Sequence, residues 1–306
     1  SGQTVSMTAA QVSIFNSGGT LTNSGTLDVS ASGDLTGLNL SGVSNLTLTG
    51  NTTMTANQAN SFAGQVVKGS HSISIDVSGD ISSLDTSLAD TVSVGTGVNL
   101  TATIAQHDSI TAGLAGSNTI TLSNSGTVNA NSSVEAYNLA NGTNTFTSSA
   151  SGHTVVGGTG SDTMIGGNGI DVFTGSTGVD EFTGGSGADV FKFASGDTGI
   201  SSLSDADTIT DFVSTVDKIQ LVVSGAVGNV SISNWTTAIT SENLTSEANS
   251  AFDGTGIDIL VKVSNFIGAT VAIDLNESGS FDSGDILLQL DSVVDTDDIL
   301  SSDFII

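Results

Sequence analysis

The sequence predicts an all-β chain: a parallel β-helix or β-roll solenoid, capped by a small β-rich C-terminal region with a short helix. Three observations lead to this fold. Residues 157–191 contain four nine-residue units in register, GGTGSDTMI, GGNGIDVFT, GSTGVDEFT and GGSGADVFK. Short runs of alternating apolar and polar residues precede them, as expected of strands joined by turns. The chain also has no cysteine, so disulfides cannot hold such a fold together.

Residues 1–154 are predicted to form a first solenoid rich in Ser, Thr and Asn. Three hexads, GSHSIS, GSNTIT and GTNTFT, share a frame with GSDTMI in the first nine-residue unit. Asn144 in the third hexad lies 18 residues before Asp162, and we expect coils of about 18 to 26 residues. The segment NTTMTANQANSFAG, residues 51–64, is the expected exception, a short helix that ends at Gly64.

The four units follow the pattern G-G-x-G-x-D-x-U-x, where U is a large apolar residue, and depart from it only at Ser176. The glycines permit positive φ and close backbone approach, so six residues can form a tight turn with inward carbonyls. Aspartate adds a carboxylate, and hard oxygen ligands on a flexible frame suit Ca²⁺ better than Zn²⁺ or Mg²⁺. Because two units make one coil of 18 residues, Asp162 should share an ion with Asp180, and Asp171 with Asp189. A flexible Gly-rich linker, the alternative, has no reason to keep Asp and apolar residues in phase.

These units resemble those of the RTX family, the repeats-in-toxin proteins that bacterial type I systems export. The resemblance implies a parallel β-roll with Ca²⁺ as cofactor. It also implies that carbonyls of positions one and three of one turn, and of two and four of the next, join the two Asp side chains. The residues expected to hold calcium are Gly157, Gly158, Thr159, Gly160, Asp162, Gly166, Gly167, Asn168, Gly169, Asp171, Gly175, Ser176, Thr177, Gly178, Asp180, Gly184, Gly185, Ser186, Gly187 and Asp189.

After the repeats, the pattern D-x-D-T-I-x-D-F-x-x-x-x-D-K-I resembles the segment that caps the roll in serralysin-type proteins. Asp207 lies 18 residues after Asp189 and is expected to provide the last coil's carboxylate. Asp211 and Asp217 fit turn caps or calcium ligands as well as solvated turn acids. The predicted domains are a solenoid over 1–154, a calcium roll with its cap over 155–212, and a β-rich secretion domain over 213–306.

The C-terminal region contains three further patterns. The stretch SENLTSEANSAFDGTG, residues 241–256, predicts a short helix with Ser241 as N-cap and Gly254 as stop. The stretch DLNESGSFDSGD, residues 274–285, fits either an EF-hand-like calcium loop or a plain hairpin turn. Its candidate ligands are Asp274, Asn276, Ser278, Ser280 and Asp285. The last residues, VDTDDILSSDFII, resemble a type I secretion signal.

Charge is concentrated in the second half of the chain. The whole chain has a formal net charge of −27, and residues 155–306 hold 23 of its 31 acids and three of its four lysines. We expect this half to be unfolded without metal, so that ion binding becomes folding free energy. With no basic patch, nucleic acid and anionic membrane surfaces are not expected partners. No apolar run approaches the length of a membrane span.

Residues suited to catalysis are scarce, and the chain is expected not to be an enzyme. It has no Cys and no Arg, and no H-E-x-x-H, G-x-S-x-G or P-loop pattern occurs. His71, His107 and His153 fall at turn positions of the repeat frame and are expected to be turn residues. Tyr137 and Trp235 are candidate interface anchors, although a lone Trp in SISNWTTAI is more often a core or half-buried strand residue.

Two functions fit these features. The first is a secreted, calcium-dependent structural protein that assembles with itself on the bacterial cell surface, since the chain resembles type I-secreted surface-layer proteins and large RTX adhesins. The second is the C-terminal folding and export module of a longer exoenzyme or adhesin. Expected partners are further copies of the chain, the type I secretion machinery and a cell-surface polysaccharide bound through a region before Ser1. The chain lacks an initiating Met and is expected to be a fragment or a processed product.

Overall fold

A computed structural model describes residues 5–8, 27–37, 45–61, 72–84, 91–112, 117–148, 152–223, 227–234, 241–252, 257–264 and 268–306. The described chain is mostly β, and most of its strand pairs are parallel, which confirms the predicted β-solenoid. It packs into two compact units, Ser1–Asn124 with Ser133–Ala136, and Ser125–Ser132 with Tyr137–Ile306. The three α-helices described are α1 Ala56–Ser61, α2 Ile104–Ser109 and α3 Ser241–Ala251.

The first unit is built from short parallel strands. They are β1 Val5–Thr8, β2 Leu27–Asp34, β3 Asn45–Thr55, β4 Ser72–Val77, β5 Gly79–Asp80, β6 Thr91–Val94, β7 Leu100–Ala102, β8 Ile110–Ala112 and β9 Thr119–Leu122. One sheet has the order β1-β2-β3-β4-β6-β8, and the other strands pair in the order β5-β7-β9. Ile73 pairs with Val92 and Leu100 with Ile120, so neighbouring rungs are about one coil apart in sequence. The side chains of these four residues are buried.

Both helices of the first unit begin at a Thr-x-x-Gln capping box. Thr55 Oγ1 accepts from Gln58 N at 3.1 Å, and Gln58 Oε1 accepts from Thr55 N at 2.8 Å. Within the described residues 51–61, the predicted helix begins later than expected, because β3 runs to Thr55 and α1 covers Ala56–Ser61; its expected end at Gly64 lies outside the described residues. Thr103 and Gln106 cap α2 in the same way. His107 is buried inside α2, so its predicted place in a turn is wrong.

The second unit contains the repeats and the C-terminal region. Its strands are β10 Thr127–Asn129, β11 Ala136–Asn138, β12 Thr145–Thr147, β13 Thr154–Val156, β14 Thr163–Ile165, β15 Val172–Thr174, β16 Glu181–Thr183, β17 Val190–Phe193, β18 Asp207–Ile209, β19 Lys218–Leu221, β20 Val227–Asn234, β21 Ile257–Ser264, β22 Gly268–Asp274, β23 Ile286–Leu290 and β24 Phe304–Ile305. One ladder has the order β10-β12-β14-β16-β18-β23-β22-β21-β20, and the other has β11-β13-β15-β17-β19-β24.

The interior of the roll is a stack of large apolar side chains. In register with an 18-residue coil, Phe146 pairs with Met164 and Met164 with Phe182, while Phe173 pairs with Phe191 on the other ladder. All five are fully buried, and the Phe182 and Phe191 rings lie 5.9 Å apart. The large apolar residue at position eight of each unit therefore forms the core, as its regular phase predicts.

Tyr137 belongs to this stack and not to an interface. It is fully buried, its ring lies 5.2 Å from that of Phe146, and its hydroxyl accepts from Asn131 N at 2.8 Å. The interface role considered for it is therefore wrong. The predictions for Trp235 and His71 lie outside the described residues.

The C-terminal region closes both ladders of the roll. β23 pairs in parallel with β18, so that Asp207 lies opposite Leu288, and β24 pairs with β19, so that Phe304 lies opposite Ile219. The predicted helix is present as α3, although its expected stop at Gly254 lies outside the described residues. Its apolar face packs on β21 to β23 through Leu244, Ala248 and Phe252.

Candidate metal centre

The four glycine-rich turns, residues 157–160, 166–169, 175–178 and 184–187, connect the short strands of the two ladders. Gly158 and Gly160 have φ of +94° and +118°, a region that L side chains adopt at a cost. Ser176, the one departure from the repeat, has φ of +68°. It therefore keeps the left-handed conformation of the glycine it replaces. Each turn lies directly on the turn one coil away, as when Gly160 N donates to Thr177 O at 2.8 Å.

The repeat aspartates form two buried ladders of backbone-to-carboxylate hydrogen bonds. Asp162 N donates to Asp180 Oδ1 at 2.8 Å, and Asp171 N donates to Asp189 Oδ1 at 2.8 Å. All four side chains are at most 2% exposed. The two pairs predicted from the 18-residue spacing are therefore the pairs that stack.

The ladders continue past the repeats in a register that the spacing did not predict. Asp180 N donates to Asp207 Oδ1 at 2.9 Å, across 27 residues, so Asp207 follows Asp180 and not Asp189. The partner of Asp189 is Asp217, whose Oδ1 accepts from Asp189 N at 3.0 Å across 28 residues. Asp207 therefore provides a carboxylate of the last coil, as expected, but the 18-residue spacing from Asp189 does not give its partner, because the chain between β17 and β18 leaves the coil and lengthens it.

The sequence fits Asp217 as a ligand, a cap or a solvated acid, and in the structure it is a member of the ladder. The signal that could have found it is D-K-I, an aspartate two residues before a buried Ile219, as in D-T-M and D-V-F of the repeats. Asp211 is a cap instead. Its two carboxylate oxygens accept from Gly184 N and Gly185 N, each at 2.8 Å.

The carboxylate ladder of Asp162, Asp180 and Asp207 contains oxygen atoms without a hydrogen-bond partner. The Oδ2 atoms of Asp162, Asp180 and Asp207 are buried, and none has a hydrogen-bond partner. A Cβ added to Gly157 would lie 2.5 Å from Asp162 Oδ2, so this oxygen lies close to the turn backbone. A buried anionic oxygen without a partner costs free energy that a bound cation would offset. The residues present therefore fit a calcium ion held between successive turns.

Burial shifts the protonation of the same carboxyls. It raises the pKa of Asp207 to about 8 and that of Asp180 to about 7, and the charges of Asp197 and of the neighbouring ladder carboxylate add to the effect. Burial also raises the pKa of Asp189 to about 6 and that of Asp162 above its usual value. The charged ladder is thus unfavourable by itself near neutral pH, and a divalent cation would remove that penalty.

In the coil before the repeats, the position of the repeat aspartate is occupied by Asn144 on one carboxylate ladder and by His153 on the other. Asn144 N donates to Asp162 Oδ1 at 2.8 Å, and His153 N donates to Asp171 Oδ1 at 2.7 Å. His153 is 2% exposed, and its Nδ1 lies 3.0 Å from Ser148 Oγ. The predicted turn role of His153 is therefore confirmed.

The second candidate loop, Asp274–Asp285, connects β22 and β23, which form an antiparallel hairpin. Its aspartates already accept hydrogen bonds within the loop: Asp274 from Ser278 N and Gly279 N, and Asp285 from Leu275 N and Asp282 N, all at 2.7–3.0 Å. Burial raises the pKa of Asp285 to about 6. These contacts favour the plain hairpin turn, and calcium binding here stays a prediction.

The polar side chains of this loop also contact one another. Asn276 Nδ2 donates to Asp282 Oδ1 at 2.8 Å, Ser278 Oγ to Asp282 Oδ2 at 3.1 Å, and Ser280 N to Ser278 Oγ at 3.2 Å. Across the described part of the chain, no three His, Asp or Glu side chains converge as a metal cluster. A site made of two carboxylates and backbone carbonyls does not need such a cluster.

Comparison with known families agrees with this geometry. Residues 156–191 match the family model of the RTX calcium-binding nonapeptide repeat in four copies, and repeats of this type are typical of secreted proteins. No curated protein matches the chain. None of the helices that the structure describes is long and apolar enough to cross a membrane. The stacked turns of residues 156–191 are RTX repeats, and repeats of this type bind calcium.

Proposed function

We propose that this chain is an extracellular structural protein that folds with calcium, assembles with itself on the bacterial cell surface and carries a C-terminal type I secretion signal. The buried carboxylate ladder carries the proposal, because it makes the roll depend on a cation that is abundant only outside the cell. The solenoid rungs on either side of the ladder are a scaffold, and we propose that the protein has no catalytic activity.

The mechanism follows from charge and burial. Residues 155–306 have a formal net charge of −20, and their ladder aspartates are buried. At low cytosolic calcium these carboxylates repel one another, and the second half stays unfolded for the type I exporter. Outside the cell, the paired carboxylates would bind calcium, its charge would offset theirs, and the turns would then stack. Backbone N–H groups of one rung orient the carboxylates of the next, so each folded rung positions its neighbour.

Assembly would use acids outside the repeats. Asp76 and Asp80 are exposed, and the pKa of Asp80 is held below its usual value by hydrogen bonds from Ser82. Both lie at the surface, where a neighbouring copy can share calcium with them. Asp85 and Asp253, the other candidates, lie outside the described residues. A cell-surface polysaccharide, bound through a region before Ser1, would anchor the assembly.

The test is electron microscopy with light scattering on the purified chain, first in chelator and then in millimolar calcium. Ordered sheets or filaments that appear with calcium are the expected result, and Asp76→Asn with Asp80→Asn should reduce particle size. Compact monomers in calcium would contradict self-assembly, and an unchanged particle size in the double variant would contradict the role of these two acids.

The alternative function is a folding and export module of a longer exoenzyme or adhesin. The observation that favours it is that β23 pairs with β18 and β24 with β19, so the C-terminal region caps both ladders of the roll. Calcium would then give a folded monomer without sheets. The sequence before Ser1 separates the two: further Thr/Ala-rich solenoid favours the structural protein, and a zinc or serine protease motif favours the module.

A further inference from the structure

Strand β20 lies at one end of its sheet. Among the strands that the structure describes, it pairs with β21 alone, whereas β21, β22 and β23 each have a neighbour on both sides. Val230 to Asn234 follow β21 residue by residue, from Ile259 to Val263. The outer edge of this regular segment, residues 230–234, therefore presents backbone N–H and C=O groups to which a further strand can bind.

The charge around β20 differs from that of the rest of the C-terminal half. No charged residue occurs between Lys218 and Glu242, although residues 155–306 hold 23 acids and three lysines. Edge strands are commonly protected from pairing by Lys, Pro or inward-pointing charges, and β20 has none of these. Its one irregularity, a register shift between Val227 and Val230, comes before the regular segment. A second copy of this acidic chain can therefore approach the edge with little local repulsion.

The side chains of the regular segment alternate between the two faces of the sheet. Ser231 pairs with Leu260, which packs in one cluster with the apolar face of α3, so Ser231 lies on the α3 face. It is exposed there. Val230 and Ile232 lie on the opposite face and are half-buried. The strand thus has a polar face beside the helix and an apolar face away from it.

A groove of about 700 Å³ runs along the apolar face. Val230 and Ile232 line it from the strand, and Ile299 and Leu300 line it from the segment before β24. None of the residues that line it is charged. Leu300 is 41% exposed, so apolar area remains uncovered next to the strand edge. A strand added to β20 would bring its own apolar side chains over this groove.

We propose that the β20 edge pairs antiparallel with the β20 edge of a second copy about a two-fold axis. A two-fold contact uses the same surface on both copies, so a neutral edge with an apolar groove fits itself. Strand addition supplies backbone hydrogen bonds, and the side chains set the register. With Ile232 opposite Ile232 of the second copy, the whole regular segment pairs and the apolar faces lie side by side. A slip of one residue would place serine against isoleucine.

This contact rests on the proposed self-assembly and names one interface of it. It contains no acid, so it differs from calcium sharing through Asp76 and Asp80. Asp297 and Asp298 are exposed and follow the groove residue Thr296 in sequence. Because salt screens repulsion between such acids, more NaCl at constant calcium should tighten the β20 contact. A contact bridged by calcium between exposed acids should weaken instead.

The test is sedimentation equilibrium on the full chain in millimolar calcium, with wild type, Ser231→Lys and the control Ser201→Lys. Both serines are exposed, so neither change should prevent folding. Ser231→Lys brings an ammonium group of each copy close to that of the other across the axis. The dissociation constant of the dimer should rise at least about tenfold, because like charges in a contact oppose it. The control should leave it unchanged.

Hydrogen exchange on wild type gives a second measurement, which also decides if Ser231→Lys does not fold. Amides of β20 should gain protection as the protein concentration rises, whereas those of β22 should not change. Equal behaviour of the two strands would overturn the proposal. So would copies that assemble equally well in Ser231→Lys and in the control, although self-assembly would then stand. A wild-type chain that stays monomeric at every concentration would refute self-assembly and this contact with it.

Discussion

Within the ladder that includes Asp162, Asp180 and Asp207, the equivalent position of the upstream coil is an asparagine, Asn144, and its side chain makes different contacts. At the upstream rung, Asn144 Nδ2 donates to Ala140 O at 2.8 Å, Gly142 O at 2.9 Å and Asp162 Oδ1 at 2.8 Å. At the downstream rungs, Asp180 and Asp207 have a carboxylate oxygen in place of that nitrogen, and it has no hydrogen-bond partner. The carbonyls that the amide contacts are those of positions two and four of their turn. The amide nitrogen therefore contacts the carbonyls that, by the resemblance to RTX repeats, would hold an ion.

The difference locates the start of calcium dependence. The neutral amide of Asn144 donates N–H groups to the nearby oxygens. The coil at Asn144 is therefore stabilised by hydrogen bonds and by the packing of Phe146 on Tyr137, without an ion. The carboxylate rungs need an external positive charge. Dependence on calcium should therefore begin at Asp162 and run toward the C-terminus.

Removal of calcium should produce the largest difference between the coils with aspartate and the coil with Asn144. In chelator, amides of β14 to β19 should lose protection from hydrogen exchange, whereas those of β10 and β12 should keep more of theirs. Each site occupied at one hundred times its Kd contributes about 2.7 kcal/mol, or a factor of about 100 in protection. An equal loss of protection in both regions would show that the amide rung also depends on calcium.

Replacing Asn144 by aspartate should convert its hydrogen-bonded position into a calcium site. Asn144→Asp should bind one calcium ion more than wild type, since it pairs a second carboxylate with Asp162. In chelator it should lower the free energy of unfolding by about 1–3 kcal/mol, because buried carbonyls lose their donor. Calcium titration and urea unfolding measure the two effects. Asn141→Asp, an exposed change in the same turn, is the control and should leave the ion count unchanged.

A change of pH should alter the stability of the metal-free fold through Asp180 and Asp207, by less than the two changes above. In the metal-free fold, burial raises the pKa of Asp180 to about 7 and that of Asp207 to about 8, from the usual 3.8. The folded state then binds more protons than the unfolded state between about pH 4 and pH 8, so its stability falls as the pH rises through that window. In chelator, urea unfolding should be harder at pH 5 than at pH 8.5. Asp207→Asn should reduce this difference, and an unchanged difference would contradict the assignment.

The smallest effect should come from Ser176, which has φ of +68° where the other full repeats have glycine. Ser176→Gly removes the steric cost of a left-handed non-glycine residue, which is about 1–2 kcal/mol, although part of it is offset by the entropy of glycine in the unfolded chain. We expect a slightly higher melting temperature in calcium with the same number of ions. Ser186→Gly, at position three of the fourth turn, is the control and should not stabilise the protein.

Much of the candidate site could be predicted from local patterns. The phase of glycine, aspartate and apolar residues predicted the pairs Asp162 with Asp180 and Asp171 with Asp189, and it predicted that Phe173 and Phe182 are core residues. Helix α2 was missed, although the capping signal Thr103-x-x-Gln106 is present in the sequence. The amide contacts of Asn144 could not be predicted, because they depend on where the carbonyls of a folded turn point.

The sequence by itself determined the coil length, the ligand chemistry and hence calcium, since each depends on residue types repeated at short, regular spacing. Tertiary structure alone decided which aspartate follows Asp180. A longer loop adds little closure entropy, so the segment before Asp207 can leave the coil at small cost. The register after it is then set by burial: Ile209 pairs with Phe182 and Ile219 with Phe191, and this packing places Asp207 and Asp217 on their ladders.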